Sequence, residues 1–270
     1  SKLIASHLGT NHNEVALSSS DLIKLIPSIS DIYSEPFADS SQIPTFLLSK
    51  LAKTKVTVSL SGDGGDELFG GYNRYVFTNQ LWQKMLSTPV WGKNFISNLI
   101  KLLSPNSWNN IADPIQTISP KWLKLNNFGE KLHKGARVIT IEEFNDFYLG
   151  LLSHWDPQEI VLNGEEPKTL INSENHDLEI FDNVEKMMLI DSMTYLPDDI
   201  LVKLDRASMA NSLESRVPFL DHRLVEFGFK IPQSMKLRDQ KGKWILREVL
   251  YRHVPKKLIE RPKMGFAIPM

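Results

Sequence analysis

The stretch VSLSGDGGDELFGGY, residues 58–72, predicts a strand that runs directly into a functional loop. The apolar run 56–60 contains β-branched residues and is followed by glycines, which is typical of a buried strand. Five glycines then follow within ten residues, together with the carboxylates of Asp63, Asp66 and Glu67. Glycine lets the backbone adopt positive φ and approach a ligand closely. The pattern therefore predicts a ligand-binding loop at the carboxyl end of a strand, where open α/β sheets bind their ligands.

The acidic residues of this loop favour metal or amine chemistry over direct contact with phosphate. Carboxylates repel phosphate, but they can bind a Mg²⁺ ion that itself holds phosphate oxygens, and they can accept a proton from an amine. From composition alone a second interpretation stays open, in which the segment is a glycine-rich turn whose aspartates cap the following helix.

Three sequence blocks, in this order, resemble the synthetase domain of the glutamine-hydrolysing asparagine synthetase family. They are SLSGDGGDELFGGYNRY from residue 59, LPDDILVKLDRASMANSLESRVPFLDHRLVEF from residue 196, and RPKMGF from residue 261. β-Lactam synthetases and amidotransferases of macrocycles and surface polysaccharides share this domain type. The resemblance covers nearly the whole chain, with a looser match in the middle third. It implies an α/β fold with a partial parallel sheet of the ATP-pyrophosphatase (adenine nucleotide alpha-hydrolase-like) type and a large helical portion.

The resemblance also implies a reaction, the ATP-dependent amidation of a carboxylate through an acyl-adenylate. In the parent enzymes aspartate supplies the carboxylate, and ammonia comes from glutamine in a separate glutaminase domain. The products are asparagine, AMP and pyrophosphate, and the implied cofactors are ATP and Mg²⁺. Two alternatives stay open: a related amidotransferase acting on a surface-polysaccharide or peptide carboxylate, and a non-catalytic, synthetase-derived binding module.

Site roles follow from the resemblance residue by residue. Ser61, Gly62 and Gly64 are expected to contact the nucleotide, and Asp66 is expected to hold Mg²⁺ and pyrophosphate. Asp63 occupies the position at which the parent enzymes carry a glutamate implicated in amine transfer. Because aspartate is one methylene shorter, this departure keeps a different acceptor open.

Lys263 is the second expected catalytic residue. It matches the family lysine that stabilises the transition state of adenylate formation, a role that suits a compact ammonium group near phosphate oxygens. The alternative from composition is a solvated basic surface formed with Lys256, Lys257 and Arg261.

Composition limits the possible partners and compartments. The 31 basic and 32 acidic side chains give a formal net charge of -1, so the total charge favours neither nucleic acid nor an anionic membrane as a partner. No apolar run approaches the roughly 20 residues that span a bilayer. The absence of cysteine excludes disulfides and the cysteine-dependent hydrolysis of glutamine, and it fits the cytoplasm. A homodimer is compatible with the sequence.

The chain organisation predicted from these signals is one synthetase domain, 1–270, cut at both ends. A nucleotide-binding α/β part, 1–75, precedes a tryptophan-rich helical excursion, 76–180, whose tryptophans we expect mostly to pack in a core. A helical part, 181–270, carries the catalytic lysine. The family's serine-glycine-glycine-x-aspartate-serine loop does not occur in the sequence, so these residues alone are expected to be inactive.

Three local predictions concern the last third of the chain. Pro197 is expected to break a buried helix, because proline lacks the amide hydrogen that helix interiors need. Asp221 is expected to cap the helix that follows it. Five charged residues are expected to form pairs at the wall of a cleft, since burying an unpaired charge is costly. They are Asp205, Arg206, Glu214, Arg216 and Asp221.

Overall fold

A computed structural model describes residues 2–14, 18–118, 128–153, 161–165, 167–172, 178 and 181–260. The chain forms two compact units. The first unit comprises residues 1–73 and 188–270, and the second comprises residues 74–187. No helix among the described residues is long and apolar enough to cross a membrane.

The sheet of the first unit consists, in the described residues, of two parallel strands. Strand β1 is Val58–Leu60 and strand β2 is Glu214–Arg216, with Ser59 paired to Ser215 in register. The predicted strand and its parallel pairing are therefore confirmed. Its predicted burial is wrong, because Leu60 is 73% exposed. With one described neighbour, β1 has packing on only part of its surface.

Helices make up most of the described residues of the first unit. Those of the first unit are α1 Lys2–Leu8, α2 Ser19–Leu25, α3 Ile29–Tyr33, α4 Gln42–Lys53, α5 Gly65–Leu68, α11 Asn183–Met193 (from Met188 onward), α12 Val202–Met209, α13 His222–Lys230, α14 Gln233–Lys236, α15 Trp244–Leu250 and α16 Lys256–Ile259. The observed class is helix-rich α/β with a small parallel sheet.

Apolar side chains that follow the two strands form one core of the first unit. Leu68, Phe69 and Ile231 are buried together, and Phe219 packs edge to face on Phe69 with ring centroids 5.9 Å apart. Helices α13 and α15 complete this core with Leu224, Val225, Ile245 and Leu246. The core therefore lies directly beneath the glycine loop that follows β1.

Helices α4 and α12 pack against each other, and a π-helical turn, Leu196–Leu201, leads into α12. Helix α11 ends at Met193 and Pro197 lies within the first positions of this turn, so the predicted helix break is confirmed, although it falls just before the proline. Proline is tolerated there because the first amide groups of a helix have no intrahelical partner. The expected cap is confirmed, since the Asp221 carboxylate accepts a hydrogen bond from the Arg223 amide at 3.0 Å.

The second unit is helical in all its described elements. It contains α6 (Asn73–Leu86), α7 Val90–Lys101, α8 Pro105–Ile118, α9 Phe128–Val138, α10 Phe144–Leu152 and the first turn of α11. Helices α7, α8 and α10 each pack on α9. Trp82 is buried against Phe144 and Phe147, as expected for a packing residue, whereas Trp91 is exposed. Trp122 and Trp155 lie outside the described residues.

Candidate functional site

The loop after β1 is built by backbone contacts that require glycine. The Ser61 amide donates a hydrogen bond to the Arg216 carbonyl at 2.8 Å, which extends the strand pairing by one residue. Gly64 then adopts φ 79°, and a Cβ atom there would lie 2.8 Å from a methyl group of Leu220. The adjoining Gly65 lies under the Phe219 ring, with a hypothetical Cβ at 3.1 Å. The segment after β2 therefore holds the loop in position.

Three predicted residues occupy the outer part of this loop. The Ser61 hydroxyl donates a hydrogen bond to the Asp63 carboxylate. Gly62 between them is exposed, and a side chain added to it would meet no atom within 4 Å. A ligand can therefore reach the backbone here. Helix α5 begins at Gly65, and its N-cap residue is Gly64 with no side-chain capping bond, so the alternative that aspartates cap this helix is not observed.

Asp66 is held by a cation that sequence reasoning missed. The Lys243 ammonium group lies 2.9 Å from the Asp66 carboxylate, and each side chain is 27% exposed. Lys243 has a left-handed backbone, φ 58°, and its amide donates a hydrogen bond to the Phe69 carbonyl at 2.9 Å. A salt bridge in this half-buried setting places a positive charge beside the loop.

The salt bridge between Asp66 and Lys243 depends on the close approach of the backbone at residues 70–71 to the backbone at residues 242–243. A Cβ atom on Gly71 would lie 2.0 Å from the Asp66 carboxylate and 2.3 Å from the Lys243 side chain. A Cβ atom on Gly242 would lie 2.0 Å from the Gly70 carbonyl. Gly242 immediately before Lys243 was the local signal for this approach, although sequence alone does not name the segment that it meets.

A buried acid and a tyrosine support the loop from below. Glu67 is 1% exposed and accepts a hydrogen bond from the Tyr72 hydroxyl at 2.6 Å. Burial raises the pKa of Glu67, and the hydrogen bond from Tyr72 offsets only part of that change. Burial and the hydrogen bond to Glu67 raise the pKa of Tyr72. Helix α11 adds the buried carboxylate of Asp191 nearby, and Tyr195 packs edge to face on Tyr72.

A second polar cluster joins the segment before α4 to α12. Lys203 lies 2.6 Å from the Asp39 carboxylate. Burial favours a higher pKa for Asp39, but hydrogen bonds from Lys203 and Ser41 outweigh it and lower the pKa. Burial and the adjacent Asp39 charge raise the pKa of Asp199 to about 6, and its Oδ1 atom is buried without a hydrogen bond.

The structure places Ser61, Gly62, Asp63, Gly64 and Asp66 in one loop at the carboxyl end of β1. Lys263 lies outside the described residues, so its position relative to the loop is a prediction. For Glu214 and Arg216, the expected pairing is present but the expected burial at a cleft wall is wrong. Arg216 and Glu214 pair at 2.6 Å, but both side chains are more than half exposed, which makes this a surface salt bridge.

The donor set of the loop suits a magnesium ion that arrives with phosphate. No group of three or more His, Cys, Asp or Glu residues in the described part of the chain could hold a metal ion. Mg²⁺ is commonly bound by one or two carboxylates plus substrate phosphates. The partly exposed Asp66 fits that mode, and it does not fit a self-contained protein metal site.

Comparisons with known proteins find one family model that covers the whole chain. The family model described as Asparagine synthase matches residues 1–270. Asparagine synthetase [glutamine-hydrolyzing] 1 of Bacillus subtilis is 30% identical over 100% of this chain and 40% of its own length. Asparagine synthetase [glutamine-hydrolyzing] 3 of the same organism is 29% identical over 96% of this chain and 34% of its own length.

A mammalian relative matches a shorter part. The asparagine synthetase [glutamine-hydrolyzing] of Rattus norvegicus is 37% identical over 70 residues, 25% of this chain and 12% of the relative. The chain thus spans 40% or less of the length of each of these three relatives.

Proposed function

Because the chain belongs to the asparagine synthase family, we propose that it forms the core of a ligase that amidates a carboxylate at the expense of ATP. The first choice of reaction is aspartate plus glutamine-derived ammonia to asparagine, with AMP and pyrophosphate as the other products. The observation that carries this proposal is the glycine loop at the carboxyl end of β1, with Asp66 held beside Lys243.

The nucleotide is assigned to the exposed side of the loop. Ser61 and Gly62 present backbone and hydroxyl groups that a phosphate or ribose can contact, and Gly64 gives the loop its left-handed turn. Asp66 would hold a Mg²⁺ ion on the phosphates, and that ion would neutralise charge on the leaving pyrophosphate. The sheet is assigned on the same grounds to the ATP-pyrophosphatase type, and residues 1–75 to nucleotide binding.

Two lysines are proposed to neutralise the negative charge of the bound phosphates. Lys263 is assigned to the α-phosphoryl oxygens, where charge develops as the adenylate forms. Lys243 holds Asp66 in place in the free protein and lies where it can share its charge with a bound phosphate. A fixed cation costs no reorganisation at the moment of reaction, which is why preorganised charges are effective catalysts.

Asp63 is proposed to act on the amine. Its carboxylate already accepts a hydrogen bond from Ser61, which orients it within the loop. A carboxylate in this position can accept the proton that ammonia must lose as the amide bond forms.

Turnover is proposed for a protein that also contains the phosphate-binding loop and the cysteine for glutamine hydrolysis. The 270 residues lack the serine-glycine-glycine-x-aspartate-serine run and any cysteine, so they supply neither that phosphate loop nor a thiol for glutamine hydrolysis. Ammonia is therefore assigned to a glutaminase domain like that implied by the relatives' printed names.

A different carboxylate acceptor is the second candidate. Asp63 favours it, because the shorter side chain places the amine-directed carboxylate differently from the glutamate of the parent enzymes. A binding module without catalysis is disfavoured by the presence of Asp63, Asp66 and Lys263 together.

The test is pyrophosphate release by the full-length protein with ATP, Mg²⁺ and ammonium, with and without aspartate. We expect aspartate-dependent release that Lys263→Ala abolishes, whereas Lys230→Ala, at an exposed lysine on α13, leaves it unchanged. Release that is indifferent to aspartate would move the search to another carboxylate. ATP binding without any release would support the binding module instead.

A further inference from the structure

Helix α7 exposes an apolar stripe on the second unit. Trp91, Phe95, Leu99 and Leu102 are 74%, 64%, 50% and 77% exposed. Their spacing of four, four and three residues places them on one face, because an α-helix has about 3.6 residues per turn. An exposed apolar face of this kind marks an interaction surface rather than a random set of surface residues.

The opposite face of α7 fixes the helix to the rest of the unit. Lys93 and Ser97 are buried there, and the Ser97 hydroxyl donates a hydrogen bond to the Ala136 carbonyl on α9 at 2.7 Å. From Ser97, residues 95 and 99 lie about 200° around the helix in either direction, at 100° per residue. The helix therefore packs through its small and polar side while its large apolar side chains face outward.

The charged residues of the sequence segment that contains this stripe have one sign. From Leu68 to Ala112 the sequence contains no Asp or Glu, although 32 occur in the whole chain. Lys84 and Lys101 are exposed at the ends of α6 and α7. Although the total charge is near neutral, the segment 68–112 is cationic, and it also carries the exposed apolar stripe.

We infer that the α7 stripe of the second unit, in a segment that also carries the exposed Lys84 and Lys101, docks peripherally on an anionic lipid bilayer. Trp, Phe and Leu side chains with nearby lysines are the composition of interfacial helices, whose apolar face enters the boundary between headgroups and acyl chains by about 5–10 Å. Anionic headgroups attract the lysines, and tryptophan is enriched at that depth.

Charge complementarity favours this occupant over a second copy of the chain. Two copies that met through α7 would bring together two helices that carry lysine and no Asp or Glu, so neither helix would offer an acid to pair with the other. An anionic bilayer supplies both the apolar layer and the opposite charge. This inference differs from the whole-chain expectation of no membrane partner, because that expectation used total charge and the length of apolar runs.

The experiment is co-sedimentation of the purified full-length protein with vesicles of phosphatidylglycerol and phosphatidylcholine, beside vesicles of phosphatidylcholine alone. We expect binding to the anionic vesicles that weakens with added salt. The double variant Phe95→Ser and Leu99→Ser should bind at least about tenfold less, a loss of about 1.4 kcal/mol. The matched control is Leu162→Ser, at a residue that is 91% exposed and outside the stripe.

Circular dichroism shows whether the double variant keeps its fold, which is expected because both side chains are exposed. A second variant, Lys84→Glu with Lys101→Glu, should reduce binding through charge alone. The inference is overturned if the wild-type protein ignores anionic vesicles, or if both variants bind like the control. Loss of a dimer in the double variant, without vesicle binding by the wild type, would assign the surface to a second copy instead. Vesicle binding, circular dichroism and oligomeric state are all independent of catalysis. A protein without the proposed ligase activity would therefore leave this inference untouched.

Discussion

The Lys243 ammonium group lies 2.9 Å from the Asp66 carboxylate and joins the last part of the first unit to the loop after β1. Both groups are partly shielded from water, so the pair stabilises one position of the loop more than a fully exposed pair could. Under the proposed function, this pair presents one negative and one positive charge to a magnesium-bound phosphate.

Replacing Lys243 by Met should leave the fold largely intact and reduce pyrophosphate release by the full-length protein about 10²-fold, the magnitude seen when one preorganised charge is lost. The loss of stability should be no more than about 1 kcal/mol, as for a partly exposed salt bridge. Lys230→Met, which breaks an exposed pair with Glu226, is the control and should leave release unchanged. Equal release by both variants would remove Lys243 from the site.

Gly71→Ala should destabilise the first unit, because the added methyl group would collide with the Asp66 carboxylate. Overpacking of this kind costs about 1–3 kcal/mol, measurable by urea unfolding. The control is Gly135→Ala within α9, where the added methyl group meets no atom within 4 Å. It should be neutral or stabilising by up to about 1 kcal/mol, since alanine favours helices. A Gly71→Ala protein as stable as wild type would show that Asp66 can move freely.

Tyr72→Phe should cost about 1–3 kcal/mol, because it leaves the buried Glu67 carboxyl without its hydroxyl partner. Tyr251→Phe provides the matched control. It removes a hydrogen bond of 3.2 Å to Glu260 that is exposed to water, so its effect on the free energy of unfolding should be much smaller. Thermal unfolding of the three proteins in parallel gives the comparison, and equal stabilities for the two variants would contradict it.

Asp199→Asn should stabilise the protein at neutral pH and have little effect in acid. The folded state raises the pKa of Asp199 from 3.8 to about 6, so its carboxyl is held neutral where the unfolded chain would ionise. Wild-type stability therefore falls as pH rises from 3.8 to about 6, and asparagine avoids that loss. Melting temperatures on both sides of this window check the sign. A variant that is equally stabilising at both ends would assign the effect to something other than ionisation.

Several features of the fold could be predicted from local sequence because local chemistry produces them. The β-branched run and the glycines after it predict a strand and a tight loop, and both are present at β1 and Gly64. Asp221 caps its helix because the capping bond reaches only two residues along the chain. The order of the three motifs likewise indicates the family from the sequence alone.

Other features depend on residues far apart in sequence. The α-helix before Pro197 ends at Met193 and is followed by a π-helical turn, and the side chain of Leu60 is exposed although it lies in a strand. Lys243 was missed because nothing in its local sequence names Asp66 as its partner. The outward-facing stripe on α7 was missed because helical periodicity identifies an apolar face without saying which face is buried.

The sequence by itself determined the family, the strand and glycine loop, and the set of residues from Ser61 to Asp66 that the proposal uses, since each depends on residue type and short spacing. Only the tertiary structure decided which cation reaches Asp66, that Glu67 is buried against Tyr72, and that the Trp91 face points outward. The physical reason is that burial and long-range pairing are set by the packing of distant segments, which local propensity does not specify.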